Sequence, residues 1–112
     1  MPKKKLIRFK QLASYSNVVQ PSFKEVMNDK FGLKGKWNTQ FFSNNQPLVL
    51  ELGCGKGEYS VALGARYPHR NFLGVDIKGA RIWYGATEAL ESNLKNVGFL
   101  RTRIDFIADC FG

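Results

Sequence analysis

The nine residues Glu51-Leu-Gly-Cys-Gly-Lys-Gly-Glu-Tyr59 set three alternating glycines between two glutamates. Glycines so spaced let a backbone turn sharply and lie against a ligand with no side chain between them. A dinucleotide fingerprint needs GxGxxG, whereas Gly53, Gly55 and Gly57 give GxGxG, and Glu58 stands where that fingerprint has its third glycine. The acids also set the charge of the ligand. A pyrophosphate near this loop is repelled by Glu51 and Glu58, while a ligand carrying a sulfonium and an α-ammonium group is favoured. S-adenosylmethionine carries both cations and no phosphate.

Asp76 follows about 20 residues after the loop, at the expected end of the next strand, where a carboxylate accepts hydrogen bonds from both hydroxyls of a ribose. That position alone does not separate S-adenosylmethionine from NAD. Asp105, at the end of a third expected strand, is placed to reach an adenine amino group. A helix cap or a solvated loop carboxylate is the alternative for Asp105 and Asp109. His69 has no nucleophile or ligand partner in view and reads as a surface residue. Cys54 reads as a small filler between glycines, and Trp83 and Tyr84 as helix residues packing on the sheet or its cover.

These residues need a scaffold that brings strand ends together. Leu48 to Leu52 is nearly continuous in apolar residues, as expected of a strand buried on both faces of a parallel sheet. Glu58 to Tyr67 reads as a helix ended by Pro68, and Asn71 to Val75 as a second buried strand closed by Asp76. Ile82, Ala86, Ala89 and Leu90 recur at helical spacing after Lys78-Gly79, giving a helix that stops near Asn93 or Gly98. Phe99 to Ile104 is the third strand candidate, and Phe106 to Phe111 resembles the start of a helix. The order is βαβαβ, the N-terminal half of a Rossmann-like doubly wound α/β sheet with right-handed crossovers. Three strands leave an exposed edge, so further strands or a second chain are expected to pair there.

Residues 1–47 differ in character from residues 48–112. The first segment holds nine Lys and Arg against Glu25 and Asp29, a balance of +7, and the second holds eight against seven acids, a balance of +1. Residues 1–21 lack a sustained apolar period and read as an irregular arm. Ser22 and Glu25 have capping-box spacing ahead of Val26, Met27 and Phe31, so one short helix is expected there, with a further helical turn at Asn38 to Phe42. A basic extension ahead of a near-neutral domain is an electrostatic footprint for nucleic acid; a solvated tail is the other reading.

The composition, 44% apolar and 13% aromatic, is that of a globular protein, and no apolar run approaches the roughly 18 residues of a membrane span. MPKKK leads into a polar stretch without a signal-peptide core, so a cytoplasmic address is expected. Cys54 and Cys110 lack partners at disulfide or zinc spacing, which predicts free thiols and no metal.

Five stretches together resemble the N-terminal part of the bacterial tRNA (guanine-N7)-methyltransferases, class I S-adenosylmethionine-dependent enzymes. They are Asn17-Val-Val-Gln-Pro21, Leu33-Lys-Gly-Lys-Trp37, Leu50 to Tyr59, Phe72-Leu-Gly-Val-Asp-Ile-Lys-Gly-Ala-Arg81 and Asn96 to Asp105, so the resemblance covers almost the whole chain. The glycine motif by itself specifies only the broad methyltransferase class. Gly74 to Arg81 and the basic N-terminal segment narrow it. The resemblance implies a cofactor set of Glu51, Gly53, Gly55, Gly57, Asp76, Ile77 and Asp105, with the loop on the methionine moiety, Asp76 on the ribose and Asp105 on the adenine side. It implies tRNA phosphate contacts from Lys3, Lys4, Lys5, Arg8, Lys10, Lys34 and Lys36. The Phe-Pro-Asp-Pro signature of the family, associated with catalysis and guanine handling, does not occur in these 112 residues, so no catalytic residue is assigned and the chain by itself is expected to be inactive.

Three other readings stay open on the residues: a methyltransferase for another acceptor, a dinucleotide-dependent oxidoreductase, and a non-catalytic RNA-binding module. The GxGxG spacing and Glu58 argue against the oxidoreductase.

Overall fold

Alternation within the apolar runs decides which way each strand faces. The computed structural model describes residues 2–28 and 30–111, with the side chains of Lys3 and Lys5, two of the expected phosphate contacts, outside the described residues. The elements in chain order are α1 (Pro2–Leu12), β1 (Val18–Val19), α2 (Phe23–Met27), a π-helix (Trp37–Phe42), β2 (Leu48–Leu52), α3 (Glu58–Arg66), β3 (Asn71–Asp76), α4 (Gly79–Glu91), β4 (Val97–Arg101), a 3-10 turn (Ile104–Phe106) and α5 (Ile107–Cys110). The strands form one parallel sheet in the order β1-β4-β3-β2. The β2-α3-β3-α4-β4 core is the expected α/β half-sheet.

Two corrections concern the N-terminal segment. Residues 2–12 are helical rather than irregular, and Val18–Val19 pairs in parallel with Phe99–Leu100 as a fourth strand. Of the apolar residues of helix α1, Leu12 is buried and Phe9 half-buried, while Leu6 and Ile7 are exposed. The helix owes its stability to long-range docking on α4: Phe9 and Leu12 pack beside Gly79, and Trp83 Nε1 donates to Gln11 Oε1 at 2.8 Å; past the helix, Asn17 Nδ2 donates to the Ala86 carbonyl at 3.1 Å. The capping box is formed as expected, with Glu25 N–H donating to Ser22 Oγ and Ser22 N–H to Glu25 Oε1, both at 3.1 Å.

The sheet has two cores. One face buries Phe72, Val97 and Phe99 under Val61 of α3, Ile82, Ala86 and Ala89 of α4, and Leu12 of α1. The other buries Leu73, Val75 and Leu100 against Val26, Phe31, Trp37, Phe42 and Cys110. Trp37 anchors that second layer: its indole N–H donates to the Cys110 carbonyl at 2.8 Å and its ring stacks on Phe111 at 5.4 Å.

β2 and β4 depart from expectation. The apolar run predicts burial of Leu48–Leu52 on both faces, yet Val49, Leu50 and Leu52 are 38%, 39% and 52% exposed. The cause is position: β2 lies at the margin of the sheet, paired only with β3 among the described residues. β4 begins at Val97 rather than Phe99, because Gly98 lies inside the strand rather than ending a helix. The absence of a side chain there admits the ring of Phe41, which occupies the space a Cβ would need.

Candidate cofactor site

A chain leaving a parallel strand must turn before it can enter a helix, and here all three glycines of the turn have positive φ: 71° at Gly53, 57° at Gly55 and 74° at Gly57. A side chain is strained at each of these positions. The three differ in surroundings. At Gly53 and Gly55 a Cβ would meet nothing within 4 Å, so the loop backbone is open on the side from which a ligand approaches. At Gly57 a Cβ would lie 2.5 Å from Phe99 Cε1. The loop is therefore bare above and closely packed below.

Phe99 is the support beneath it. This fully buried ring meets Gly57 of the loop, Gly74 of β3 and Gly85 of α4, each of which has room for the ring only because it lacks a Cβ. The Gly53 and Cys54 N–H groups both donate to the Val75 carbonyl, at 2.8 and 3.0 Å, tying the loop to β3.

Asp76 supplies the third tie. Its Oδ2 accepts from the Gly55 N–H and its Oδ1 from the Lys78 N–H, both at 2.9 Å. The carboxylate thus fixes the loop and the start of α4 together, while each oxygen keeps a lone pair for a further donor. Glu51 is oriented from α3, where the buried Ser60 hydroxyl donates to its Oε1. Glu51, Cys54, Lys56, Glu58, Tyr59 and Arg81 line a hollow of about 430 Å³ beside the loop. Burial, then the Asp76 and Glu51 carboxylates, push the Cys54 thiol up to about 12. A neutral thiol at physiological pH is a poor nucleophile, which agrees with Cys54 as a filler. Burial accounts for the larger part of this rise, and the two carboxylates add to it.

The remaining candidates are distributed unevenly. Ile77 is half exposed between the groove beside α4 and a second hollow toward Arg103. Asp105 lies on the 3-10 turn at the same end of the sheet, exposed, and its two oxygens accept from Arg103 Nε and Nη2 at 3.2 and 3.0 Å. The basic residues divide between the two faces. Lys4 and Arg8 project from α1 on the α4 side, with Lys10 exposed on the last turn. Lys34 and Lys36 flank Leu33 and Trp37 on the opposite face. Reading the sequence missed Phe99, Gly85 and Ser60, whose roles depend on contacts across the sheet. It also missed Lys56, Lys78, Arg81 and Arg101; Lys78, Arg81 and Tyr84 at intervals of three were the available signal.

The donor set fits S-adenosylmethionine on this geometry. Two carboxylates flank an open glycine backbone, and no lysine or arginine pairs with either of them among the described residues. No helix among the described residues is long and apolar enough to cross a membrane.

Residues 45–112 match a protein family described as putative methyltransferase. The chain is 55% identical to a tRNA (guanine-N(7)-)-methyltransferase of Christiangramia forsetii over 97% of its own length and 49% of that protein. Proteins of the same name from Bacteroides fragilis and Bacteroides thetaiotaomicron are 54% and 52% identical over 96% and 99% of the chain, and 42% and 44% of their own lengths. The chain thus spans about half the length of these curated relatives. With the glycine loop, Asp76 and the half-sheet all inside the matched residues, the chain belongs to this methyltransferase family.

Proposed function

We propose that this chain forms the S-adenosylmethionine-binding part of an enzyme that methylates N7 of a guanine in tRNA. The observation that carries the reading is Asp76, whose carboxylate holds the glycine loop open through Gly55 while leaving lone pairs for ribose hydroxyls. The names of the relatives supply the acceptor. The exposed apolar edge of β2 supports a unit completed by further strands, in keeping with relatives about twice as long. A cytoplasmic address goes with a tRNA substrate.

When bound, S-adenosylmethionine supplies an electrophilic methyl group on a sulfonium. The chain's own residues would bind and orient it: the loop from Gly53 to Gly57 would hold the methionine moiety, with Glu51 toward its ammonium group, Asp76 would hold the ribose, and Ile77 and Asp105 the adenine side. Guanine N7 presents a lone pair and no proton, so positioning rather than a strong base is the main requirement. No residue among the 112 is assigned to catalysis.

Calorimetric titration with S-adenosylhomocysteine and, separately, NAD tests this reading. The first is expected to bind and the second not, with Asp76→Ala weakening binding by tenfold or more, the loss that follows from removing roughly 1.5–3 kcal/mol of charged hydrogen bonding. NAD binding, or an Asp76→Ala variant with undiminished affinity, would refute it.

A further inference from the structure

Lys4, Arg8, Lys56, Lys78, Arg81 and Arg101 line a single groove of about 900 Å³ between α1 and α4. They converge from α1, the glycine loop, the start of α4 and the end of β4, and no acidic residue lines the groove with them. Among the described residues none of the six is paired with a carboxylate. Aromatic rings hold three of them instead: the Arg8 guanidinium lies 4.9 Å from the Trp83 ring centre and 4.7 Å from that of Tyr84, Lys56 Nζ 5.0 Å from Tyr84, and Arg101 5.0 Å from Phe9. A ring fixes a cation through its quadrupole without cancelling its charge. Arg101 is further fixed by donating to the Ile77 carbonyl at 2.9 Å and to Gln20 Oε1 at 3.1 Å. The groove is thus preorganised and electropositive.

Its two ends indicate the shape of the occupant. Lys56 and Arg81 also line the hollow beside the glycine loop, and Ile77 and Arg101 also line the next hollow, with Thr102 and Arg103. The cations therefore lie along a continuous strip beside the proposed cofactor cleft, which suits a linear polyanion better than a compact one. The adjoining compartments differ in charge: the hollow sets Glu51 and Glu58 beside Lys56 and Arg81, whereas the groove gathers six cations without an acid, so phosphates are drawn to the groove.

Resting on the reading above, we propose that the α1–α4 groove holds the phosphodiester backbone of the substrate RNA alongside the cofactor cleft, with Lys56, Lys78, Arg81 and Arg101 joining Lys4 and Arg8 as its phosphate-binding cations. Residues that the sequence placed in an irregular basic arm then form one wall of a built site, and α4 forms the other.

The test is fluorescence anisotropy of a labelled, unmodified tRNA transcript with the protein across a salt series, in parallel with S-adenosylhomocysteine titration. A Lys78→Gln/Arg81→Gln double variant is compared with Lys24→Gln/Lys95→Gln, which removes the same charge outside the groove. Removing one phosphate-binding cation lowers the slope of log K against log salt by about 0.7–0.9, so the groove variant is expected to lose roughly 1.5 from the slope and tenfold or more in affinity. The control pair is expected to lose less than threefold. Equal losses in both variants would overturn the groove and leave diffuse attraction. Stronger binding to anionic phospholipid vesicles than to tRNA, abolished by the groove substitutions, would overturn the RNA assignment. Cofactor binding without groove-dependent RNA binding refutes the groove alone. Groove-dependent RNA binding without cofactor binding upholds the groove and refutes the proposed cofactor site.

Discussion

Replacing Gly85 by alanine puts one methyl group where α4 meets the glycine loop. Built on the backbone, that Cβ lies 2.7 Å from the Lys56 carbonyl oxygen, 2.8 Å from Phe99 Cζ and 3.1 Å from Gly57 Cα. Two of the three neighbours are backbone atoms and cannot rotate away. Phe99 has little room to yield, because its ring sits so close to the backbone at Gly57 and Gly74 that a Cβ at either would come within 2.5–2.9 Å of it. The loop or the helix must therefore shift. Overpacking of this kind costs about 1–3 kcal/mol, and the greater helix propensity of alanine returns about 1, leaving a net destabilisation of up to roughly 2 kcal/mol. For a domain of this size each kcal/mol lowers Tm by roughly 4–8 °C. The larger effect is expected on ligand binding. A displaced Lys56–Gly57 segment loosens the 2.9 Å hydrogen bond from Gly55 to Asp76, and affinity for S-adenosylhomocysteine should fall tenfold or more. Gly32→Ala is the control, since its Cβ would meet nothing within 4 Å. Thermal denaturation and calorimetry on both variants make the comparison. A folded Gly85→Ala protein that keeps S-adenosylhomocysteine affinity within twofold would refute the role of α4 in holding the loop.

Two further outcomes follow from buried groups. The Cys54 pKa, raised from 9.0 to about 12, means the folded state retains a proton that the unfolded chain has released. Its contribution is complete below pH 9 and lost as pH rises toward 12, at up to about 1.4 kcal/mol per pH unit. Denaturant titrations at pH 8 and 10.5 should show this fall, and Cys54→Ala should flatten it; an unchanged slope in the variant would place the cause elsewhere. Trp37→Phe keeps most of the aromatic packing but leaves the Cys110 carbonyl without its 2.8 Å donor, so unfolding free energy should drop by about 1–3 kcal/mol. A change under 0.5 kcal/mol would mean that water replaces the indole.

What could be read from the sequence was what depends on near neighbours. The Leu48–Leu52 run, the glycine spacing and Asp76 belong to one strand-loop-helix unit and its successor, and the loop-to-Asp76 hydrogen bond joins residues 21 apart. Helix α1 and strand β1 were not legible because their partners are distant: Trp83 for Gln11, Thr87 for Tyr15, Phe99 and Leu100 for the two valines. A mostly polar helix docked through Leu12, Phe9 and the cation-π contacts of Arg8 offers only the short series Leu6, Phe9 and Leu12, whose first member is exposed. The exposure of β2 was illegible for another reason. A run of leucine and valine reads the same in a central strand and at a margin, since strand order is a property of the sheet.

The distribution of charge reconciles two demands that the sequence sets against each other. A chain with net charge +8 is a poor attractor for a cation, yet the proposed cofactor carries a sulfonium and an ammonium against a single carboxylate. Screening resolves this at short range, because at 0.1 M salt charges much beyond about 10 Å act weakly on an exposed site. What a ligand at the loop meets is then Glu51 and Glu58 beside Lys56 and Arg81, with the Asp76 carboxylate on the Gly55 N–H. What a ligand between α1 and α4 meets is six cations without an acid. Lys56 and Arg81 stand on the boundary, lining both. Their long side chains let one position serve both compartments: the loop needs the small backbone of its glycines, and the groove needs the charge several bonds away. On the proposed reading, that boundary is where a backbone-bound RNA strand brings its base toward the methyl donor. Affinity for the two ligands should accordingly respond to salt differently, with RNA binding falling steeply and cofactor binding changing little over the same range.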